Sequence, residues 1–564
     1  MNTSVTMYEW KDIPWRKLEV QVFKLQKRIY QASARGDVKG VRKLQRLLIK
    51  SRAAKLLCAR KVTQDNRGKR TAGIDGVKSL TPKQRLALAK DLAIPNKATP
   101  IRRVWIPKPG KQEKRPLGIP IMRDRAAQAL VKLALEPEWE AKFEAHSYGF
   151  RPGRSAHDAI KYIFLGICRK DKYVLDADIK KCFDKINHKM LLSKLGTFPV
   201  MRRAIKAWLK AGVMEGGKLF PTKEGTPQGG VISPLLANIA LHGLEEHLVK
   251  SVPKQKMVNG TNTAWNLQIV RYADDFIIMH RNLDVVKNAQ ALAAEWLSKM
   301  GLELSPTKTK IVHTFMPHEE HEPGFDFLGF SIRQYPLGKR NRRTMKGGSR
   351  YEQTWSWDKQ FKTIITPTKE AILRHKTKLS QTVDGLKTAP QSRLIRELNP
   401  VIQGWANYYC SVNSKEIFGD IDHWLWEKLM RWVKRRHPMK PMNWIVNKYW
   451  HVDEKNKWDF SDEETSLSQH RLTPIEIHVN VKDIRSPFDG DWIYWCTRIF
   501  TYPGTRPIVG KLLKTQKGKC VYCGLHFRLE DLIEVDHFDL NRNNKRTSNL
   551  QALHGHCHDQ KHGA

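Results

Sequence analysis

The stretch RYADDFIIMH, Arg271–His280, sets two adjacent carboxylates, Asp274 and Asp275, between the apolar runs LQIV and FIIM. Neighbouring anions repel, and a carboxylate enters a core only at high cost unless a cation pairs with it. The flanking runs are short, β-branched and aromatic, which reads as strand, tight turn, strand, with the aspartates at the tip. Alone, the same letters also fit an ordinary hairpin whose Asp-Asp is a solvated turn. The rest of the chain has to decide.

The chain has 564 residues, room for about three or four domains. Lys plus Arg number 100 against 56 Asp plus Glu, a formal net charge of +44 with a pI near 10.0. An excess this large calls for a polyanion: nucleic acid first, anionic membrane second. No apolar run is long enough to span a bilayer, and MNTSVTMYEWKDIPW at the start lacks the apolar core of a signal peptide. The expectation is a cytoplasmic protein, bacterial-type or organellar, associated with nucleic acid and not with membrane. Of the 8 cysteines, Cys58, Cys168, Cys182, Cys410 and Cys496 stand singly, while Cys520, Cys523 and Cys557 cluster near the end. That pattern fits a reduced protein with one local cysteine site, not a disulfide scaffold.

Leu18 to Val62 carries apolar residues at helical spacing with Lys and Arg between them, which predicts two helices broken near ARGD with a basic outer face. From about residue 70 to 340, β-rich runs mix with helical segments, as in an α/β or α+β domain. The basic, glycine-containing GKRNRRTMKGGSR (338–350) reads as a linker. Residues 360–440 read as helices rich in Trp and basic residues, with an Asn-Pro helix start in LNPVIQGWANYY. Residues 441–505 are of mixed character, and a small cysteine-containing module begins near Gly510.

Upstream of the Asp-Asp pair, YVLDADIKKCFDKINH leads a strand through Val174 and Leu175 into Asp178. Strands could bring Asp178, Asp274 and Asp275 together, and three carboxylates at strand ends would hold two Mg2+ ions about 4 Å apart for in-line phosphoryl transfer. GTPQGGVISPLLANI joins a glycine-rich turn (Gly225, Gly229, Gly230) to a helical run. Glycines there let the backbone approach a base pair, and Gln228 offers amide contacts.

These blocks resemble those of reverse transcriptases, specifically the group II intron-encoded family. The resemblance runs through RRVWIPKPGKQEKRPLGIP, SYGFRPGRSAHDAI, DADIKKCFD, TPQGGVISPLLANI, RYADDFII, GLELSPTKTKI and FDFLGF, in the family's order. It implies a multidomain α+β protein. Residues 1–65 would be an N-terminal helical RNA-binding extension, and 66–340 the fingers and palm of a right-hand polymerase. A helical maturase, or thumb, domain would span 350–440, and a DNA-binding segment 441–505. It also implies that Asp178 and Asp274 ligate both metals with help from the Ile179 carbonyl, while Asp275 supports the site. Phe183 would lie under the incoming sugar and exclude a 2′-hydroxyl, so the substrates would be dNTPs. Arg115, with Lys108 or Lys114, would grip the triphosphate, although solvated hairpin lysines fit the same letters. Lys308 would protonate pyrophosphate or simply neutralise charge. Gln228 would meet the nascent base pair.

At the end of the chain, Cys520-x-x-Cys523 and His554-x-x-Cys557 give four N/S ligands at zinc spacing. A purely structural zinc ribbon would need nothing more, yet Asp536, His537, Asn549 and His558 are also present. The segment resembles the HNH nuclease ββα-metal motif, placed at 510–564. By that resemblance His537 is the general base on water, Asn549 orients the water, and Asp536 with His558 holds one Mg2+ on the scissile phosphate. His562 would touch phosphate or complete the metal site. The family form carries a second CxxC where this chain has His554-Gly-His-Cys557, so His556 competes with His554 as the fourth Zn2+ ligand. The implied protein binds its own group II intron RNA, assists splicing, nicks target DNA and copies the intron RNA into DNA. Three rivals are a splicing-only maturase, a defence or diversity-type reverse transcriptase, and an HNH enzyme with an RNA-holding front end.

Overall fold

The structure, a computed structural model, describes residues 9–107, 113–258, 261–337, 361–452, 458–462, 465–500, 505–528, 531–541, 544 and 546–563. The 338–350 stretch read as a linker lies outside these residues. After a short 3-10 turn (Trp10–Asp12) come three α-helices: α1 (Trp15–Ala34), α2 (Val38–Lys50) and α3 (Arg52–Arg60). The break near ARGD is present, with Gly36 at φ +73° and Asp37 capping α2 through the Gly40 N–H. A second break, which apolar periodicity did not reveal, falls at Ser51, whose hydroxyl accepts from the Ala54 N–H and starts a new helix. After α4 (Pro82–Lys90), the long helix α5 (Met122–Glu140) receives this bundle. Arg42 and Gln45 both bond the buried Glu138 of α5, at 2.6 and 2.7 Å.

Strands β1 (Ile101–Pro107), β2 (Lys114–Ile119), β4 (Val213–Glu215) and β5 (Lys218–Phe220) form one sheet in the order β2-β1-β4-β5. The central sheet has the order β10-β3-β9-β8, all antiparallel, from β3 (Tyr173–Asp178), β8 (Gln268–Tyr272), β9 (Asp275–His280) and β10 (Lys310–His313). Both of its faces are buried. Leu175, Phe276 and Ile278 join the core shared with the N-terminal helices, whereas Val174, Ile277 and Met279 join a second core. Alternating side chains both meet apolar partners, which is why FIIM reads as an unbroken apolar run. The second core includes α6 (Ala156–Ile167) and the sheet β11 (Phe325–Phe327), β12 (Phe330–Pro336) and β13 (Phe361–Pro367).

Helices Lys369–Gly385, Gln391–Tyr409, Lys415–Arg436 and Met442–Tyr449 share a third core built on Leu379, Leu394, Leu398, Ile421, Leu425 and Leu429. Pro400 does not start a helix as its Asn-Pro pair suggests. It sits inside Gln391–Tyr409, where packing of Leu398, Ile402 and Ala406 overrides the lost backbone bond. Three small hairpins complete the described strands: β6 (Gln255–Val258) with β7 (Thr261–Ala264), β14 (Trp450–Val452) with β15 (Trp458–Phe460), and β16 (Ile533–His537) with β17 (Leu550–His554).

The block SYGFRPGRSAHDAI is a junction in which successive residues serve different elements. Arg151 forms a fully buried, two-pronged pair with Glu140 of α5, both contacts at 3.0 Å. Arg154 donates to the carbonyls of Ala145, Asp483 and Arg485. Gly153, at φ +76°, leaves room for Trp495, which a β-carbon would meet at 2.4 Å. Asp158 caps α6 with Ser155 and also accepts from His478, the Val481 N–H and Arg498 at 2.9–3.0 Å. Segment 478–498 is thereby tied to the polymerase-like part through one buried carboxylate. Burial alone would raise the Asp158 pKa, but His478, Arg498 and Ser155 hold it far below the carboxylate range. A depressed acid adds stability above its unfolded value of about 3.9, and that stability is lost as pH falls through the folded value. Removing one member of such a buried pair costs about 3–5 kcal/mol. Asp158→Ala is therefore expected to lower unfolding free energy by that order at pH 7, with the gap to wild type shrinking below pH 4. Urea unfolding at pH 7 and pH 3 checks this.

Candidate functional sites

The Asp-Asp stretch forms a hairpin in which Tyr272 faces Asp275, leaving Ala273 and Asp274 as a two-residue turn. Ala273 takes φ +59°, a left-handed conformation that an L side chain adopts at a cost of roughly 1–2 kcal/mol. Arg271 holds it there. Its buried guanidinium donates to the Asn238 Oδ1 at 3.1 Å and curls back to the Ala273 carbonyl at 3.2 Å. Asn238 in turn donates to the Gly149 carbonyl at 2.8 Å. Gly149 is pressed against the turn so closely that a β-carbon would lie 2.3 Å from the Ala273 nitrogen. The sequence reading missed Arg271, Asn238 and Gly149. The available signal was an arginine placed between apolar strand residues.

Asp178 ends β3 and is the register partner of Asp275, so the three carboxylates gather at one end of the central sheet. Burial pushes the Asp274 carboxyl above the ordinary range, and the neighbouring Asp178 adds to it. Asp275 is pushed up to about 7 by burial, then by Asp274 and Asp178. Lys308 supplies a cation, its Nζ 2.8 Å from Asp178 Oδ2, and this hydrogen bond raises the lysine pKa. The crowded carboxylates raise one another's pKa, and Lys308 supplies one compensating positive charge. The Ile179 backbone bridges to Leu304 just past the strand end, and the Asp178 carbonyl is taken by the Ser305 N–H.

Beside this end of the sheet lies a cleft of about 420 Å3 lined by Arg103, Pro116, Gly118, Phe183 and Gln228, among others. Gln228 donates weakly to Asp184 at 3.3 Å, while its own carbonyl accepts from the Gly118 N–H at 2.6 Å. Gly229, at φ +107°, permits that approach, since a β-carbon would lie 2.5 Å from the Gly118 carbonyl. Phe183 meets Phe150 edge-on, ring centres 6.1 Å apart. Arg115 stands opposite Ile106 on the β1–β2 ladder, and its charge acts on Asp274. Lys114 opens β2 and is exposed. Lys108 lies outside the described residues.

In the C-terminal segment β16 and β17 pair, and the helix Gly555–Lys561 follows directly. Ligand atoms of Cys520, Cys523, His554 and Cys557 all lie within 4.8 Å of one another. His554 Nδ1 is 3.3 Å from Cys523 Sγ and 4.0 Å from Cys557 Sγ. Bonds of about 2.0–2.3 Å in a tetrahedron give edges of roughly 3.5–3.8 Å, so this donor set fits zinc. His556 is stacked on His554 but turns its Nδ1 to Glu19 at 3.4 Å, which leaves His554 in the cluster.

Asp536, His558 and His562 form a second cluster of possible ligands within the same 4.8 Å limit. Burial works against charge on Asp536, yet bonds from Lys561, His562 and Gln551 hold its carboxyl at about 2. Lys561 and Gln551 went unnoticed in the sequence, where nothing marks them as neighbours of Asp536. His537 ends β16 beside this cluster, and Lys561 also donates to its carbonyl at 3.2 Å. The Asn549 amide is engaged with Asp539 at 2.8 Å and the Asn544 carbonyl at 3.0 Å, pinning the loop that follows His537.

A carboxylate triad at a sheet end and a separate ββα centre beside a Cys3His cluster define a two-centre enzyme of nucleic-acid chemistry. Comparison with known families gives four matches along the chain. They are the N-terminal domain of reverse transcriptase (residues 10–92), reverse transcriptase, or RNA-dependent DNA polymerase (106–332), the group II intron maturase-specific domain (372–450), and HNH endonuclease (520–563). Protein YkfC of Escherichia coli is 33% identical over 315 residues, 49% of this chain and 79% of that protein. The group II intron-encoded protein LtrA of Lactococcus lactis is 32% identical over 320 residues, 44% of this chain and 50% of that protein. Maturase-like protein 1 of Euglena gracilis is 28% identical over 343 residues, 57% of this chain and 65% of that protein. The chain belongs to the group II intron-encoded reverse transcriptase/maturase family and carries an HNH endonuclease domain. Its coverage of LtrA is about half of that relative's length. No helix among the described residues is long and apolar enough to cross a membrane.

The close packing at Gly149 generates a test. Gly149→Ala is expected to push the Ala273–Asp274 turn out of place, and a displacement near 1 Å can cost about 100-fold in rate. RNA-templated primer extension should fall by that order, while circular dichroism still reports a folded protein and unfolding free energy drops by about 1–3 kcal/mol.

Proposed function

We propose that this protein binds a group II intron RNA, promotes its splicing, nicks a DNA target and copies the intron RNA from the exposed 3′-end. The observation that carries this reading is the presence, in one chain, of a carboxylate triad at the end of the central sheet and a ββα centre with its own ligands. In this reading residues 66–340 are fingers and palm, 350–440 the thumb or maturase domain and 441–505 a DNA-binding segment. Residues 1–65 form the RNA-binding extension and 510–564 the nuclease. The +44 charge supports RNA and DNA as partners, and the nucleic-acid-associated family supports a cytoplasmic site of action.

Asp178 and Asp274 hold two Mg2+ ions with the Ile179 carbonyl, and Asp275 supports them. Lys308, kept protonated beside Asp178, donates its proton to the leaving pyrophosphate. Arg115, Lys114 and Lys108 grip the triphosphate, Gln228 meets the nascent base pair, and Phe183 closes the space under the sugar. In the nuclease, His537 takes a proton from water and Asp536 with His558 binds one Mg2+; Asn549, expected to orient that water, has its amide engaged with Asp539 and Asn544 and instead holds the loop after His537. Cys520, Cys523, His554 and Cys557 bind Zn2+. Divalent ions bound there would supply charge neutralisation for in-line phosphoryl transfer and Lewis acidity on the scissile phosphate, whereas zinc would supply only structure.

Separation of the two centres is the main test. Asp274→Asn is expected to remove nearly all primer extension on an RNA template while nicking and splicing assistance persist. His537→Ala is expected to do the reverse, with zinc content unchanged. Near-wild-type synthesis in Asp274→Asn, or nicking in His537→Ala, would sink the corresponding assignment. Sugar choice tests Phe183: in Phe183→Ala, incorporation of rNTPs is expected to rise while dNTP use holds. An unchanged rNTP-to-dNTP ratio would make Phe183 a packing residue.

A further inference from the structure

The helix Gly555–Lys561 points different side chains in two directions. His558, and Lys561 with His562 just beyond the helix, gather around Asp536. Asp559 and Gln560 turn the other way, into the N-terminal helices. Asp559 accepts from Arg60 Nη2 at 2.9 Å and from Gln64 Nε2 at 2.8 Å, and Gln560 donates to the Ile13 carbonyl at 3.0 Å. Arg60 is only 5% exposed, lies over the Trp15 ring at 4.8 Å and pairs also with Asp65 at 3.3 Å. A second anchor precedes β16: Arg528 lies over Phe23 at 4.9 Å and Trp492 at 5.6 Å, and donates to the Glu19 carbonyl at 3.5 Å.

A helix of 7 residues has no stability of its own, so its direction is set by what holds it. The Cys3His cluster fixes its start and the Asp536 contacts fix one side. Arg60 fixes the other. Arg60 ends α3, which shares a core with α5, and α5 meets the Gly149 turn region through Glu140 and Arg151. A continuous run of packed elements therefore joins the ββα centre to the Asp-Asp turn.

We propose that Arg60 is a positioning residue of the nuclease: through Asp559 it fixes the helix carrying His558, so that the N-terminal helices determine where the nuclease centre stands relative to the polymerase site. The proposal rests on the nuclease reading given above. Its consequence is a cut at a defined distance from the point where synthesis starts, because both centres belong to one packed body.

The test uses full-length protein with Arg60→Ala, Arg60→Lys and the exchange Arg60→Glu with Asp559→Arg. Arg60→Ala is expected to lower kcat for nicking about tenfold, in line with the cost of a small misplacement. KM for DNA should hold, cut positions should spread over neighbouring nucleotides, and amide hydrogen exchange across 555–561 should rise. Zinc content and primer extension from a supplied primer should stay at wild-type levels. Arg60→Lys and the charge exchange should each return part of the lost protection and of the single cut position. A single cut position at wild-type rate, with unchanged exchange, overturns the proposal. So does a parallel fall in primer extension, which would make Arg60 a general folding residue. If wild-type protein fails to nick DNA with any divalent ion, the nuclease reading fails; hydrogen exchange still decides whether Arg60 holds the helix.

Discussion

The Asp-Asp turn cannot hold itself. Its two carboxylates repel, Ala273 is in a conformation that L residues avoid, and a third carboxylate stands across the ladder at Asp178. What holds it is the guanidinium of Arg271, buried beneath the turn and bonded to both Asn238 and the Ala273 carbonyl. The same arginine's backbone pairs with His146 and Tyr148, which brings Gly149 under the turn. A core of apolar strands could be repacked with other apolar side chains at small cost. This polar knot could not, because Arg271 Nη1 serves both the Asn238 Oδ1 and the Ala273 carbonyl and the glycine has no clearance. The positions of the sheets and helices around it matter chiefly because they keep the knot dry and rigid.

Acids are outnumbered by bases 56 to 100, and three of the buried ones stand at junctions. Glu138 joins the N-terminal helices to α5, Glu140 joins α5 to the RPGR loop, and Asp158 joins that loop to segment 478–498. A buried ion pair is weak evidence for net stability, since apolar replacements often do as well. Its value here is specificity of docking: a misdocked segment leaves an unpaired buried charge, a loss of about 3–5 kcal/mol. Most cations remain for the surface, where a net charge of +44 gives a polyanion many phosphate contacts.

The features legible in the sequence were those written locally. The β8–β9 hairpin follows from two short apolar runs, and the Cys3His cluster from the spacing of its two half-sites, although the choice of His554 over His556 needed the geometry. The resemblance in motif order supplied the family. Features set by distant contacts were not legible. Ser51 splits a helix that periodicity had made continuous. Pro400 looked like a helix start because the packing of Leu398, Ile402 and Ala406 cannot be seen in an Asn-Pro pair. Asp559 and Arg60 are separated by 499 residues, and a lysine such as Lys561 carries no mark that it will face Asp536. Nothing in the sequence marks Gly149 as the residue that leaves space for a turn more than a hundred positions away.

The C-terminal segment also shows why a small module can keep its shape on so large a basic chain. Its apolar cluster draws in Ile499, Val509, Leu512 and Leu513 from outside the ββα unit, so the unit has little core of its own. A metal held by the four N/S ligands would make up much of that deficit. Under the proposed function, the same choice of ligands would keep the metals apart. Thiolate and imidazole donors favour zinc strongly, whereas the carboxylate oxygens at the sheet end suit a hard ion that keeps part of its water shell. In the proposed reading zinc would gain most at Cys520, Cys523, His554 and Cys557, and a hard ion would go to Asp178 and Asp274. Donor chemistry would then separate a structural metal from the metals at the sheet end, while the mixed donors of Asp536, His558 and His562 would discriminate less.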